Sequence, residues 1–164
     1  DAVKKEVLKN HHTERFIEVV STPGGTGAIA NTIANYSRRG DKVLTSDWYS
    51  APYNHLCQEQ ERKFETFEMF DQDFNFNLED LARKVDSILQ EQGRLLLILN
   101  TPAHNPTGYT LSSDEWDKII SILNNEKYKD MQLALLVDIA YVDYAGESSV
   151  SRLFLDKMVV SSPV

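Results

Sequence analysis

The sequence predicts an α/β fold of three layers, a mostly parallel sheet with helices on both faces. Three observations predict it. Helical patterns alternate with short apolar runs along the chain, as they do where crossover helices join parallel strands. Residues Arg94 to Asn100 form an almost unbroken Leu/Ile run, which suits a strand covered on both faces. A glycine-rich turn, Gly24-Gly25-Thr26-Gly27, follows a β-branched segment and opens a helical pattern. At 164 residues with 41% hydrophobic content, the chain can bury the core of a single domain.

In order, Ala2 to about Glu14 reads as a helix, and Arg15 to Val20 as a β-branched strand bounded by Ser21-Thr22-Pro23-Gly24-Gly25. From Thr26 to Arg39, Ala28, Ile29, Thr32, Ile33 and Tyr36 recur at helical spacing. Arg38 and Arg39 stand where the negative helix end favours cations, and Gly40 stops the helix. Val43 to Thr45 is a short strand, followed by an aromatic segment through Tyr53 and a helix to Gln58. A further strand is expected from Phe64 to Phe70. Asn77 caps a helix whose Leu78, Leu81, Val85, Ile88 and Leu89 form one stripe, ending near Gly93. Beyond the buried strand, Ser112 and Glu115 make a capping box with Leu111 and Trp116 as its hydrophobic staple. Met131 to Val137 is the last strand, and the tail from Gly146 carries no clear pattern.

Composition removes several classes of function. With 17 basic and 25 acidic side chains the net charge is -8, which argues against a nucleic-acid surface or a polybasic membrane anchor. A single cysteine, Cys57, permits no internal disulfide and favours a reducing compartment. No apolar run approaches the ~20 residues of a membrane span, and the start DAVKKEVLKN lacks the apolar core of a signal peptide. The expected location is cytoplasmic.

Ligands in open α/β sheets bind beyond the carboxyl ends of the strands, so the residues after each expected strand carry the information. At Gly24-Gly25-Thr26-Gly27, unpartnered helix N–H groups and the positive helix end suit a phosphate, and Thr26 adds a hydroxyl. The turn matches neither a Walker loop nor G-x-G-x-x-G. Trp48, with Tyr49 and Tyr53 nearby, offers an indole that can stack on a flat conjugated ring. The segment Asn100 to Gly108 is polar, carries Pro102 and Pro106, either of which admits a cis bond, and presents the Asn105 amide. Asp138, in Asp138-Ile139-Ala140-Tyr141, places a carboxylate at the end of an apolar strand, where a protonated heterocyclic nitrogen is a suitable partner. Taken singly, each has a plainer reading: a tight turn, core packing, a turn before a capped helix, and a cap or surface turn.

Together and in this order they resemble the fold-type I pyridoxal-phosphate (PLP) enzymes, in particular the class I aminotransferases that include aspartate aminotransferase. His104-Asn105-Pro106-Thr107-Gly108 is similar to the family's asparagine-proline-threonine-glycine signature, and Asp138-Ile139-Ala140-Tyr141 to its Asp-x-Ala-Tyr. The resemblance implies that Gly24, Gly25 and Thr26 hold the cofactor phosphate and that Trp48 stacks on the ring. It further implies that Asn105 and Tyr141 bond the phenolic oxygen, and that Asp138 pairs with the pyridinium nitrogen, keeping the ring an electron sink. The family's turn often starts with Ser where this chain has Gly24. Its aspartate-supporting histidine has no clear counterpart, His55 being the substitute considered. The Schiff-base lysine lies a few dozen residues beyond Asp-x-Ala-Tyr in the family, and Lys157 does not match its motif, so no catalytic residue is assigned.

Residues 1–164 are thus expected to be part of the large, PLP-binding domain, with the N-terminal arm, the small domain and the lysine segment outside it. The resemblance implies a homodimeric parent enzyme that exchanges an amino group between an amino acid and a 2-oxo acid. A non-catalytic binding domain, and a C–S lyase, decarboxylase or acyl-transferring synthase of the same fold, are the alternatives.

Overall fold

Strand β3 (Arg94–Asn100) organises the fold, because its odd and even residues feed two separate cores. The computed structural model describes residues 2–8, 17–147, 151–152 and 154–161. Its other elements are α1 (Ala2–Leu8), α2 (Gly24–Tyr36), β1 (Lys42–Ser46), α3 (Pro52–Glu59), β2 (Lys63–Phe67), α4 (Leu78–Gln92), α5 (Ser113–Leu123), β4 (Gln132–Asp138) and α6 (Phe154–Ser161). Short 3-10 turns occupy Glu126–Tyr128 and Val142–Tyr144. The four strands are all parallel, in the order β2-β1-β3-β4.

Leu95, Leu97 and Leu99 point to one face, where they meet Leu81, Val85, Ile88 and Leu89 of α4 and Trp116 and Ile119 of α5. Leu96 and Ile98 point to the other, against Ile29 and Ile33 of α2 and Tyr53 and Cys57 of α3. The sheet is therefore the middle of three layers, as the alternating pattern predicts. In-register pairing of β3 with β4 carries the same alternation outward: Ala134, Leu136 and Asp138 stand beside Leu96, Ile98 and Asn100. Asp138 consequently belongs to the α2/α3 face.

Side-chain chemistry fixes the helix ends. Asn77 accepts from the Asp80 N–H at the start of α4, and Gly93 closes it at φ 70°, a left-handed conformation. The Ser112–Glu115 capping box is formed in both directions, with Leu111 and Trp116 buried beside it. In the tail, α6 stacks Phe154 on Trp116 with ring centres 5.5 Å apart.

Three expectations are corrected. Ile17 to Val20 forms no strand: among the described residues no ladder partner lies beside it, and Val20 is 79% exposed. Arg15 and Phe16 lie outside the described residues, as does the expected helix beyond Leu8 to Glu14. Helix α2 starts at Gly24 rather than Thr26 and ends at Tyr36, where the Ser37 N–H and hydroxyl both bond Ile33 O. Arg38 and Arg39 thus lie past its end. β2 stops at Phe67, and Phe70 makes only an antiparallel bridge to Phe76. No helix among the described residues is long and apolar enough to cross a membrane.

Candidate functional site

Because every strand runs the same way, all carboxyl ends open on one edge of the sheet. β1 delivers Asp47 and Trp48 there, β3 delivers the loop from Thr101 to Gly108, and β4 delivers Asp138 to Tyr141. Helix α2 runs the opposite way. Arg62, just before β2, donates to Ala34 O at 3.3 Å and Ser37 O at 2.7 Å, which ties the helix end to the amino edge. Thirteen residues span ~20 Å, about the length of a strand, so Gly24 and Gly25 lie at the carboxyl edge. All four positions singled out in the sequence share this edge, and α2 shares a face with Asp138.

The Asp138 carboxylate is bonded at both oxygens. Oδ2 accepts from the Tyr53 hydroxyl at 2.5 Å, and Oδ1 from the Ala140 N–H at 3.1 Å. Burial, reinforced by the Asp138 bond, pushes the Tyr53 phenol well above its ordinary range, so it remains a donor. His55, two residues along α3, is exposed, and it is Tyr53 that reaches the aspartate. The substitution of His55 for the family's histidine is corrected accordingly.

The loop after β3 is built on Asn100. Its amide donates to Asp138 O at 2.9 Å while its Oδ1 accepts from the Asn105 N–H at 2.6 Å. One buried side chain thus ties the end of β4 to the signature loop. Both Thr101-Pro102 and Asn105-Pro106 are cis. The Asn105 amide donates to the Tyr141 hydroxyl at 3.4 Å, which brings together the two groups assigned to one ligand oxygen. His104 is 4% exposed; its Nδ1 faces Thr107 Oγ1 at 2.8 Å and its ring also bonds the Trp48 backbone. Burial holds its imidazole below the ordinary pKa, against the opposing pull of that backbone bond, and the ring serves as a strut between the two loops.

Trp48 is 52% exposed, its indole free to take a ring against its face. Its loop is set by Asp47, whose Oδ1 accepts from the Trp48 N–H at 3.0 Å and the Met69 N–H at 2.8 Å. At α2, Pro23 precedes the first turn without a side-chain cap, which leaves early N–H groups for an outside acceptor. A Cβ at Gly24 or Gly25 would meet nothing within 4 Å. Gly27 differs: a Cβ there would stand 2.6 Å from the Pro23 ring. Lys157 pairs with Asp117 of α5 and takes no part in the edge described.

Tyr53, Asn100 and Asp47 carry the geometry; sequence reasoning set Tyr53 near the substrate with Tyr49 and His55, not against Asp138, and gave Asn100 and Asp47 no role of their own. Asn100 is the polar residue that ends the Leu/Ile run at its carboxyl end, a signal that was present. Tyr53 had none, because its partner is 85 residues away.

This fold is an open, doubly wound α/β domain, and in such sheets the carboxyl edge is where ligands bind. A family model for aminotransferases of class I and II matches residues 1–161, and the chain belongs to that family. It is 29% identical over 138 residues to a tyrosine aminotransferase of Klebsiella pneumoniae, covering 79% of this chain and 32% of that protein. An aminotransferase structure from Anaerococcus prevotii superposes with a TM-score of 0.93 at 37% identity, over 98% of this chain and 39% of that one. Cystalysin from Treponema denticola, whose structure contains pyridoxal 5'-phosphate, gives a TM-score of 0.61 at 25% identity, over 81% and 32%. The chain therefore spans about a third of the length of the curated relatives it matches.

Proposed function

We propose that this chain supplies most of the pyridoxal 5'-phosphate pocket of an aminotransferase, an enzyme that exchanges an amino group between an amino acid and a 2-oxo acid. The donors fit that cofactor in kind. The open first turn of α2 at Gly24, Gly25 and Thr26 suits its phosphate, worth ~0.3–1 kcal/mol from the helix dipole alone. The exposed Trp48 indole suits its ring face, the Asn105 amide and Tyr141 hydroxyl its phenolic oxygen, and the Asp138 carboxylate its ring nitrogen. When bound, the cofactor supplies an electron sink for the substrate's α-carbon. Asp138 holds the proton on the ring nitrogen that keeps this sink effective. Asn105 and Tyr141 orient the ring in its plane, and Trp48 shields one face from water.

One observation supports the reading most: Asp138 ends its strand on the same face and edge as the uncapped turn of α2. The substrate-selecting groups belong to the remainder of the enzyme, which we take to be a cytoplasmic homodimer. The lone cysteine, Cys57, is a buried free thiol with no partner for an internal disulfide, in keeping with a reducing compartment. The absorbance of PLP titrated with the protein should change saturably, and Asp138→Ala should weaken binding by tenfold or more, about 1.4 kcal/mol. Equal affinity in that variant would remove the assignment. With an amino donor, the intact enzyme should yield pyridoxamine phosphate, whereas release of ammonia with a 2-oxo acid would indicate a lyase.

A further inference from the structure

Helix α3 opens with Pro52, and its next residue sends a side chain across the sheet. The Tyr53 ring is 1% exposed, packed among Ile33, Cys57, Leu96 and Ile98 on the α2/α3 face. Its hydroxyl emerges at the carboxyl edge, two strands away from the one that precedes α3, and bonds Asp138 Oδ2 at 2.5 Å. We infer that Tyr53 is the positioning residue of the site: it locks the Asp138 carboxylate in the plane that meets the cofactor's ring nitrogen. The inference rests on the PLP reading above.

A carboxylate on a strand end rotates about two side-chain bonds, and one hydrogen bond does not hold both. Here the Ala140 N–H takes Oδ1 and the Tyr53 hydroxyl takes Oδ2, so the group is fixed at both corners. Each oxygen keeps a lone pair for the ligand. The O–H···O⁻ distance falls in the short, charge-assisted class. Because the ring is anchored in the core, the hydroxyl cannot swing away, and because burial suppresses its ionisation, it donates throughout the working pH range. His55 is exposed on the same helix, so Tyr53 does here what the resemblance assigned to an imidazole.

The test is a double-mutant cycle in the intact protein: Tyr53→Phe, Asp138→Ala and both together. Three quantities are read: melting temperature without cofactor, PLP dissociation constant, and the nitrogen-15 shift of ring-labelled PLP. Phenylalanine keeps the packing, so melting should stay near wild type. PLP affinity should fall roughly tenfold, as for a hydrogen bond to a charged group, and the nitrogen signal should move toward unprotonated pyridine. In the Asp138→Ala background, Tyr53→Phe should cost nothing further, since a residue acting through the carboxylate has nothing left to position. An unchanged affinity and shift in Tyr53→Phe, an equal loss in both backgrounds, or a collapse of the melting temperature each overturns the inference while leaving Asp138 in place. Unchanged binding in Asp138→Ala alone would instead overturn the cofactor reading beneath it.

Discussion

Two glycines in one turn carry opposite constraints. Gly27 is packed against Pro23, where a methyl would stand 2.6 Å from two ring carbons, so Gly27→Ala must displace the residue that leads into α2. Gly25 faces open space, and alanine is the better helix former by ~1 kcal/mol. Gly27→Ala should therefore lower both the melting temperature and PLP affinity. Gly25→Ala should leave melting unchanged or raised, yet weaken PLP by placing a methyl where the phosphate approaches. Thermal melts beside PLP titrations separate the two; identical melting of Gly27→Ala and wild type would show that Pro23 yields freely. The places of Asn105, Asp138 and Tyr141 at the carboxyl edge were legible in the sequence because each ends or follows a strand whose end can be read locally, whereas Gly25 was placed after an expected strand that does not form. Tyr53 was not, because its partner depends on strand order and register. His55 was chosen for its residue type, but two helical residues are about 200° apart, and that rotation turns one side chain into the core and the other to solvent.

At the scale of elements, boundaries written in side-chain chemistry were legible and those set by tertiary contact were not. Asn77 and Gly93 bracket α4 as their types require, and Ser112 with Glu115 starts α5. Ile17 to Val20 has strand composition without a strand beside it among the described residues, and β-propensity expresses fit to a sheet surface rather than a preference of the backbone itself. Likewise Met69 and Phe70 look like strand, but Asp47 takes the Met69 N–H and ends the ladder. The α5 cap gives a direct test. Ser112→Ala removes the acceptor for Glu115 N–H, bonded at 3.2 Å, and should destabilise by about 1 kcal/mol. That corresponds to roughly 2–4 °C in melting temperature. Ser113→Ala, one residue on and exposed, should change it far less, and equal effects would show that the box contributes nothing.

For the whole molecule, the contrast between β3 and β4 is decisive. Both are seven-residue strands with five apolar residues at their centre, yet β3 is buried almost throughout while every residue of β4 after Gln132 is half-buried. Among the described residues no strand pairs with its outer edge, so backbone N–H and C=O groups stand open beside Leu133, Leu135 and Val137. The Leu/Val composition of β4 announced a strand covered on both faces, and the composition alone does not reveal which part of a protein provides the cover. An apolar sheet edge of this kind is a template for pairing with another chain. The isolated chain should therefore self-associate, its size-exclusion elution moving to larger apparent mass as concentration rises. The net charge of -8 opposes association at low ionic strength, so added salt should strengthen the shift. An invariant monomer across a wide concentration range at both salt levels would mean that the half-buried face of β4 is stable in water.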